Sequence, residues 1–175
     1  MKILLLVVAL IPFMVNGQQN ANAKNIAAFS NNYIKSIDNL TVDAAYILTK
    51  RATEKASEFD KKVSIAILDA SGNIILLVRG DNVGIHNTEA ARRKAYTALS
   101  TKTPTLELLR NANINPDTKN LNTLPELLLL SGGSPIWYKG KVVGSIGVAG
   151  GGSPENDDLI AKSAVINENG ITTNK

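Results

Sequence analysis

The feature that most constrains the fold is a strand–turn–strand pattern that occurs once in each half of the chain. In each pattern, two short apolar runs flank a turn, and runs of this kind predict β-hairpins. The four strands are predicted at residues 63–68, 74–78, 135–138 and 141–148. The run 74–78 is apolar on both faces of a strand, which predicts a central position covered on two sides.

Helical spacing of apolar residues occurs before, between and after the two hairpins. Helices are predicted at 42–58, at 88–100, from Thr103-Pro104, at 124–130, and from the N-cap Ser153 to about 165. Residues 111–123 are predicted to be a loop. Neighbouring hairpins with helices around them predict an α+β domain with a central antiparallel sheet built from two β-hairpins and flanked by helices.

The N-terminal segment has the organisation of a secretory signal peptide. Lys2 precedes an apolar run over 3–15, and Ala21-Asn22-Ala23 supplies a small-residue cleavage pattern, with a second possible cut after Gly17. The alternative, a retained membrane anchor, is disfavoured because a run of about 13 residues is shorter than the roughly 20 that span a bilayer. The sequence predicts export to the periplasm or the medium, with no membrane span after cleavage.

The rest of the chain divides into a lead-in segment over 24–39, one domain over 40–166 and a flexible tail over 167–175. The chain has no cysteine and one histidine, which excludes disulfide scaffolds, thiol redox enzymes and Cys-based or His-rich metal clusters. Loss of Lys2 with the signal leaves 18 basic against 15 acidic residues, a net charge of +3. That small excess, without a basic-aromatic platform, predicts no nucleic-acid partner.

A glycine-rich stretch over 144–152 has two interpretations. A dinucleotide fingerprint would need a strand–helix context within a βαβ unit, whereas this strand belongs to a hairpin. The helix that follows carries Glu155, Asp157 and Asp158 near its start, and these carboxylates would repel a phosphate. The glycines are therefore interpreted as sites where the backbone bends or closely approaches a ligand or another subunit.

Residues 86–94 contain more side chains able to bind a ligand or transfer a proton than any other segment of this length in the sequence. Asn87 or Thr88 is predicted to cap the helix, which places His86 in the preceding loop and Glu89 in the first turn. Three cations on the helix surface are predicted to reach propionates or carboxylates, namely Arg92, Arg93 and Lys94. The alternative is a solvated basic helix with an exposed loop histidine. A general acid or base role for His86 is possible in principle, but no nucleophile accompanies it.

Several short motifs occur in a characteristic order over residues 40–166. They are Leu40-Thr41-x-x-Ala44-Ala45, Ile65-Ala66-Ile67-Leu68-Asp69-x-x-Gly72, Arg79-x-Asp81, Arg93-Lys94-Ala95-Tyr96-Thr97-Ala98, Pro104-Thr105, Gly132-Gly133-x-Pro135-Ile136, Gly144-x-Ile146-Gly147-Val148-x-Gly150 and Asp157-x-x-Ile160-Ala161. In order and spacing they resemble the GlcG/HbpS family of haem-binding proteins, which is related to the C-terminal domain of PduO-type corrinoid adenosyltransferases.

The resemblance implies a profilin-like α+β domain that assembles into homo-oligomers. It also implies that some members bind haem or iron, and that at least one exported member works with a membrane-bound sensor. The resulting hypothesis is an exported haem-binding protein that serves haem storage, delivery or sensing.

His86 is the candidate iron ligand, because it is the only imidazole in a mature chain that has neither Met nor Cys. The further cofactor-binding candidates are Glu89, Arg92, Arg93, Lys94 and Tyr96, and an oxygen of Tyr96, Tyr138 or Thr97 is the substitute ligand.

Two other functions stay open. One is an enzyme that acts on a small carboxylate or on haem, with His86 and Glu89 as acid and base and Arg93 as the anion clamp. The other is an oligomeric interaction module without catalysis, in which the glycine-rich edge and the alanine face of the helix at 88–100 form interfaces.

Overall fold

The structure, a computed structural model, describes residues 33–175. The predicted signal peptide and residues 24–32 of the lead-in lie outside this range. Residues 37–175 form one compact unit; of the preceding unit, residues 33–36 are described and contain no helix or strand. The helices are α1 (Val42–Glu58), α2 (Ile85–Thr101), α3 (Thr105–Ile114), α4 (Pro116–Lys119) and α5 (Pro154–Lys162). The strands are β1 (Ser64–Asp69), β2 (Ile74–Arg79), β3 (Gly133–Tyr138), β4 (Lys141–Ala149) and β5 (Ile171–Thr172).

The five strands form one antiparallel sheet in the order β2-β1-β4-β3-β5. The two predicted hairpins are β1–β2 and β3–β4, and they join through the β1–β4 pair, in which Ile65 lies opposite Val148. The predicted α+β class is therefore confirmed. Thr41 caps α1 and Ser153 caps α5, since each side-chain oxygen accepts a backbone N–H three residues later.

The predicted central position of the second strand is wrong, because β2 is an edge strand. Ile74, Leu77 and Val78 are exposed, whereas five of the six residues of β1 are buried. β1 has a neighbour on each side and is therefore an interior strand of the sheet. An apolar pattern on both faces shows that a strand has two faces to cover, but it does not identify what covers them.

The two faces of the sheet pack against different helices. One face and the helices α1 and α5 form the larger core, which includes Leu48, Ile65, Ile67, Ile136, Ile146, Val148 and Ile160. The other face packs against α2 through small residues, namely Ala66, Leu68, Ala91, Ala95 and Ala149. The alanine face predicted for this helix is therefore buried against the chain's own sheet.

Two glycines allow α2 to lie directly on the strands. A Cβ on Gly147 would overlap the carbonyl oxygen of Ala91 and lie 2.6 Å from the Ala95 nitrogen. A Cβ on Gly133, the residue paired with Gly147, would overlap the carbonyl oxygen of Lys94. The close approach expected within the stretch 144–152 was to a ligand or another subunit, and at Gly147 it is made to a helix of the same chain.

Three predicted segments differ from the structure. The helix predicted at 124–130 is absent, and this segment is irregular, with Leu127 and Leu129 buried at alternate positions. The loop predicted at 111–123 is mostly helical, because α3 continues to Ile114 and α4 leads into a 3-10 turn over Asn120–Thr123. The last helix ends at Lys162 rather than near 165.

The segment predicted as a flexible tail contains ordered structure. It forms a 3-10 turn over Asn167–Asn169 and then β5, which pairs with β3 through Trp137 and Thr172. Thr173 is buried, and its hydroxyl donates to the carbonyl oxygen of Lys162. Between residues 33 and 175, no helix is long and apolar enough to cross a membrane.

Candidate functional site

His86 lies inside the first turn of α2 rather than in the loop before it, because the helix begins at Ile85. The N-cap is Gly84, which has no side chain that could accept a hydrogen bond. Because the helix has already begun at Ile85, Asn87 and Thr88 are helical residues rather than caps. A Cβ on Gly84 would lie 2.8 Å from the His86 Cε1 atom. The imidazole therefore lies against Gly84, and it would have to rotate to admit a side chain at that position.

The imidazole of His86 is exposed to solvent, and no hydrogen bond or ion pair joins it to another group among residues 33–175. Residues three, four and seven positions apart share one face of a helix, so His86, Glu89 and Arg93 form a stripe on the outside of α2. Of the residues in this stripe, His86 is the one whose polar atoms stay free for a ligand.

Glu89 and Arg92 are bound to each other. The guanidinium donates from Nε and Nη2 to the two Glu89 oxygens at 2.9 and 2.8 Å, and Nη2 also donates to Glu126 at 2.8 Å. The hydrogen bond from Arg92 lowers the pKa of Glu89, and the two carboxylates raise the pKa of Arg92. Glu89 lies beyond the first turn of the helix, so its partner is this side chain and not the helix terminus.

Arg93 fastens an irregular strap, residues 125–128, across α2. Its Nη2 donates to the carbonyl oxygens of Pro125 and Leu127, each at 2.7 Å. Next to it, the Thr97 hydroxyl accepts the Leu128 N–H at 2.8 Å. Arg93 and Thr97 therefore hold the backbone of the strap against α2. Arg93, the predicted clamp on an external anion, has no free N–H at Nη2 because both are used in these bonds.

Lys94 does not lie on the helix surface, and this expectation is wrong. It is 4% exposed, and its ammonium donates to Asp157 at 2.7 Å and to the carbonyl oxygen of Val148 at 2.9 Å. Asp157 also accepts the Gly151 N–H at 2.7 Å. This buried pair joins α2 to β4 and to the start of α5, and it occupies an N–H of the glycine-rich loop that a nucleotide phosphate would need.

The candidate oxygen ligands lie in different surroundings. Tyr96 is half-buried and packs beside the β1–β2 turn, since a Cβ on Gly72 would lie 3.6 Å from its ring. Tyr138 borders a separate cavity of about 500 Å³ with Leu40, Val143 and Ile171. The structure thus does not bring the predicted residues together around one ligand, and it leaves His86 as the accessible donor.

Sequence reasoning missed the strap and the burial of Lys94. A signal for Lys94 was present, because it lies three residues after Ala91 and four before Ala98, on the same buried helix face. No group of three or more His, Cys, Asp or Glu residues is placed to hold a metal ion within the described part of the chain.

Replacement of Glu89 by Gln is expected to lower stability only at pH values where Glu89 is ionised. Because the Arg92 hydrogen bond lowers the folded-state pKa of Glu89 below its unfolded value, its contribution is complete above about pH 4.3. It is lost as the pH falls through the folded-state pKa. The pair is more than half exposed on the Glu89 side, so the cost at pH 7 is below about 1 kcal/mol.

Urea unfolding from pH 7 down to pH 3 measures this effect. Glu107→Gln, an exposed change on α3, is the control and should show no such pH dependence. A cost of Glu89→Gln that stays constant over the whole pH range would contradict the assignment.

Comparison with known proteins agrees with this structure. Residues 40–166 match the family described as haem degrading protein HbpS-like. The crystal structure of HbpS superimposes with a TM-score of 0.70 at 36% identity, over 76% of this chain and 92% of that one. The structure of a PduOC–haem complex gives a TM-score of 0.67 at 28% identity, over 78% of this chain and 99% of that one.

The corrinoid adenosyltransferase PduO of Citrobacter freundii is 30% identical over 128 residues, 72% of this chain. The match spans only 38% of that enzyme's length. The family model covers most of this chain. HbpS has the same fold as this chain over 92% of the HbpS chain. The chain therefore belongs to the HbpS-like family, a haem-binding family related to the C-terminal haem-binding domain of PduO.

Proposed function

We propose that this chain is an exported haem-binding protein in which His86 binds the iron. The observation that carries the proposal is the exposed imidazole at the start of α2, which has no partner among residues 33–175, in a chain with one histidine and no cysteine. A relative with the same fold forms a haem complex. Neutral imidazole is a common axial ligand of haem iron, and haem supplies the remaining equatorial ligands itself.

This part of α2 offers a free ligand for the iron but few free cations for the propionates of haem. Arg93 and Lys94 are committed to the strap and to Asp157, which leaves Arg92 as the partly exposed cation of the three. A propionate would compete with Glu89 and Glu126 for that guanidinium. With haem bound, His86 would hold the iron, and Arg92 would be the cation able to pair with a propionate.

Export rests on the signal-peptide pattern of residues 1–23. The expected location is the periplasm or the medium, where the protein would store, deliver or sense haem. Release of a chain that begins at Lys24 or at Gln18 is the expected result of N-terminal sequencing of the exported protein.

A haemin titration of the chain from Lys24, followed by Soret absorbance, tests the ligand. Wild type is expected to bind saturably, and His86→Ala is expected to bind at least tenfold more weakly, because a lost iron–nitrogen bond exceeds about 1.4 kcal/mol. Ser100→Ala, an exposed change in the last turn of the same helix, is the control and should bind like wild type.

Free imidazole added to His86→Ala should restore the wild-type Soret position. Equal binding by wild type and His86→Ala would discard His86 as the ligand while keeping haem as the cofactor. No saturable binding by wild type would contradict the proposed function itself.

A further inference from the structure

We infer that the cavity of about 500 Å³ bordered by Tyr138 binds a small molecule that has an apolar body and one carboxylate. The cavity lies between the start of α1, the β3–β4 hairpin and β5. Its apolar wall is part of the larger core, on the face of the sheet opposite α2. His86 lies on α2, so the site is separate from the proposed iron ligand, and the inference is independent of the haem proposal.

The apolar wall of the cavity favours a ligand with an apolar body. Leu40 and Val143 are buried members of the larger core, and Tyr138 and Ile171 are partly buried against that core. Apolar surface that faces an open cavity stays in contact with water, and an apolar ligand removes that contact. Cavities of this size commonly hold small molecules.

Hydrogen bonds fix the wall of the cavity on the side of α1. The Leu40 N–H donates to the Val143 carbonyl oxygen at 3.2 Å, which fastens the segment before α1 to β4. The Asn39 side-chain oxygen accepts the Ala70 N–H at 2.8 Å, which fastens the same segment to the β1–β2 turn. The cavity is therefore preformed, so a ligand does not have to order this wall when it binds.

The charges beside the cavity favour an acidic group on the ligand. The Lys139 ammonium lies 4.9 Å from the centre of the Tyr138 ring, which borders the cavity. Among residues 33–175, no carboxylate lies within salt-bridge distance of Lys139. Asp38 is the acidic residue of the described cavity wall, and it is paired with Lys141 at 3.2 Å. Lys139 thus adds a positive charge that a carboxylate would complement.

The same charges favour one carboxylate rather than two. A ligand with two acidic groups, such as haem with its propionates, would need a second cation, whereas Lys141 is already bound by Asp38. A cationic ligand would be repelled by Lys139. The Asn169 amide also borders the cavity and can donate a hydrogen bond to a carboxylate oxygen. A monocarboxylate with an apolar body is therefore the class of ligand that fits.

Isothermal titration calorimetry of the chain from Lys24 tests the site, with decanoate as the probe and decanol as its uncharged counterpart. Wild type is expected to bind decanoate saturably, with one molecule per chain, and to bind decanol more weakly. Absence of saturable decanoate binding by wild type would overturn the inference.

Lys139→Gln tests the contribution of the carboxylate. It is expected to weaken decanoate binding about threefold at low salt, because an exposed ion pair contributes modestly and is screened by salt. Decanol binding should not change, since decanol carries no charge. The matched control is Lys119→Gln, an exposed change on α4 outside the cavity wall, which should bind both probes like wild type. Unchanged decanoate binding by Lys139→Gln would overturn the assignment of an acidic ligand.

Ala44→Phe tests the position of the apolar body. Ala44 borders the cavity from α1, and the added ring should weaken both probes about tenfold or more because it fills the space of the ligand. The control is Ile47→Phe, which adds a ring at an exposed position of α1 outside the cavity wall. Circular dichroism should show that both variants are folded. Wild-type binding of decanoate by folded Ala44→Phe would overturn the inference.

Two cross-measurements separate this site from haem binding. His86→Ala should bind decanoate like wild type, and Ala44→Phe should bind haemin like wild type, because the cavity and α2 lie on opposite faces of the sheet. Loss of decanoate binding in His86→Ala would place the probe at the proposed iron ligand and would overturn the inference.

Discussion

Replacing Lys94 with Met is expected to cost about 3–5 kcal/mol of unfolding free energy, the usual result of removing one partner from a buried ion pair. The substitution keeps the length and apolar stem of the side chain, so it leaves little cavity. It removes the ammonium that joins Asp157 to the carbonyl oxygen of Val148. The cost arises because the Asp157 carboxylate is left buried without its counter-charge.

Urea unfolding at pH 7 measures this change, and a double-mutant cycle isolates the pair. Asp157→Asn should also destabilise the fold, but it keeps an acceptor for the Gly151 N–H. Lys94→Met combined with Asp157→Asn should cost less than the sum of the two single changes, because the second change removes the uncompensated charge. Strict additivity would show that the two side chains do not form the pair that the structure describes.

The second large effect is expected for Gly147→Ala. A Cβ at this position overlaps the Ala91 carbonyl oxygen and lies 2.6 Å from the Ala95 nitrogen, so α2 must move off the sheet to admit it. The contacts are with backbone, which cannot rotate away as a side chain does. Overpacking of this kind costs typically about 1–3 kcal/mol and occasionally more, and we expect a cost at or above the top of that range.

Gly140→Ala is the control for Gly147→Ala. Gly140 has a φ of +73° but has nothing within 4 Å of a Cβ, so only its left-handed backbone opposes the change. The expected cost is about 1–2 kcal/mol. If thermal or urea unfolding showed Gly147→Ala to be as stable as wild type, the direct contact between α2 and β4 would be wrong.

The hairpins were predictable because the residues that specify each turn and its two strands are adjacent in the sequence. The turns Asp69–Asn73 and Lys139-Gly140 interrupt apolar runs, and the strands appear on either side of them. The position of β2 at the edge was not predictable in the same way. It depends on the pairing of β1 with β4, which are more than 70 residues apart in the sequence, and no local pattern records that pairing.

The candidate site was predictable only in part. The segment 86–94 does lie together on one helix, and His86 is exposed, but the run of basic residues gave no sign that its three members have different partners. Lys94 turns inward because it shares the face of Ala91 and Ala98, whereas Arg92 and Arg93 turn toward Glu126 and the strap. Those partners come from distant segments, so their positions required the structure.

The start of α2 shows how a strong local signal can mislead. Asn87 and Thr88 are good capping residues, and they suggested a helix that begins after His86. The helix instead begins at Ile85 behind Gly84, which provides no capping side chain. The consequence is that the backbone of His86 belongs to the first turn of a regular helix rather than to the preceding loop.

Resonance Raman spectroscopy of the ferrous haem complex, with the protein labelled by nitrogen-15 histidine, tests directly whether His86 binds the iron. Because the chain contains one histidine, the label marks His86 alone. If His86 binds the iron, the iron–imidazole stretching band must be present and must shift to lower frequency on labelling. A haem complex in which no band shifts with the label would contradict ligation of the iron by His86.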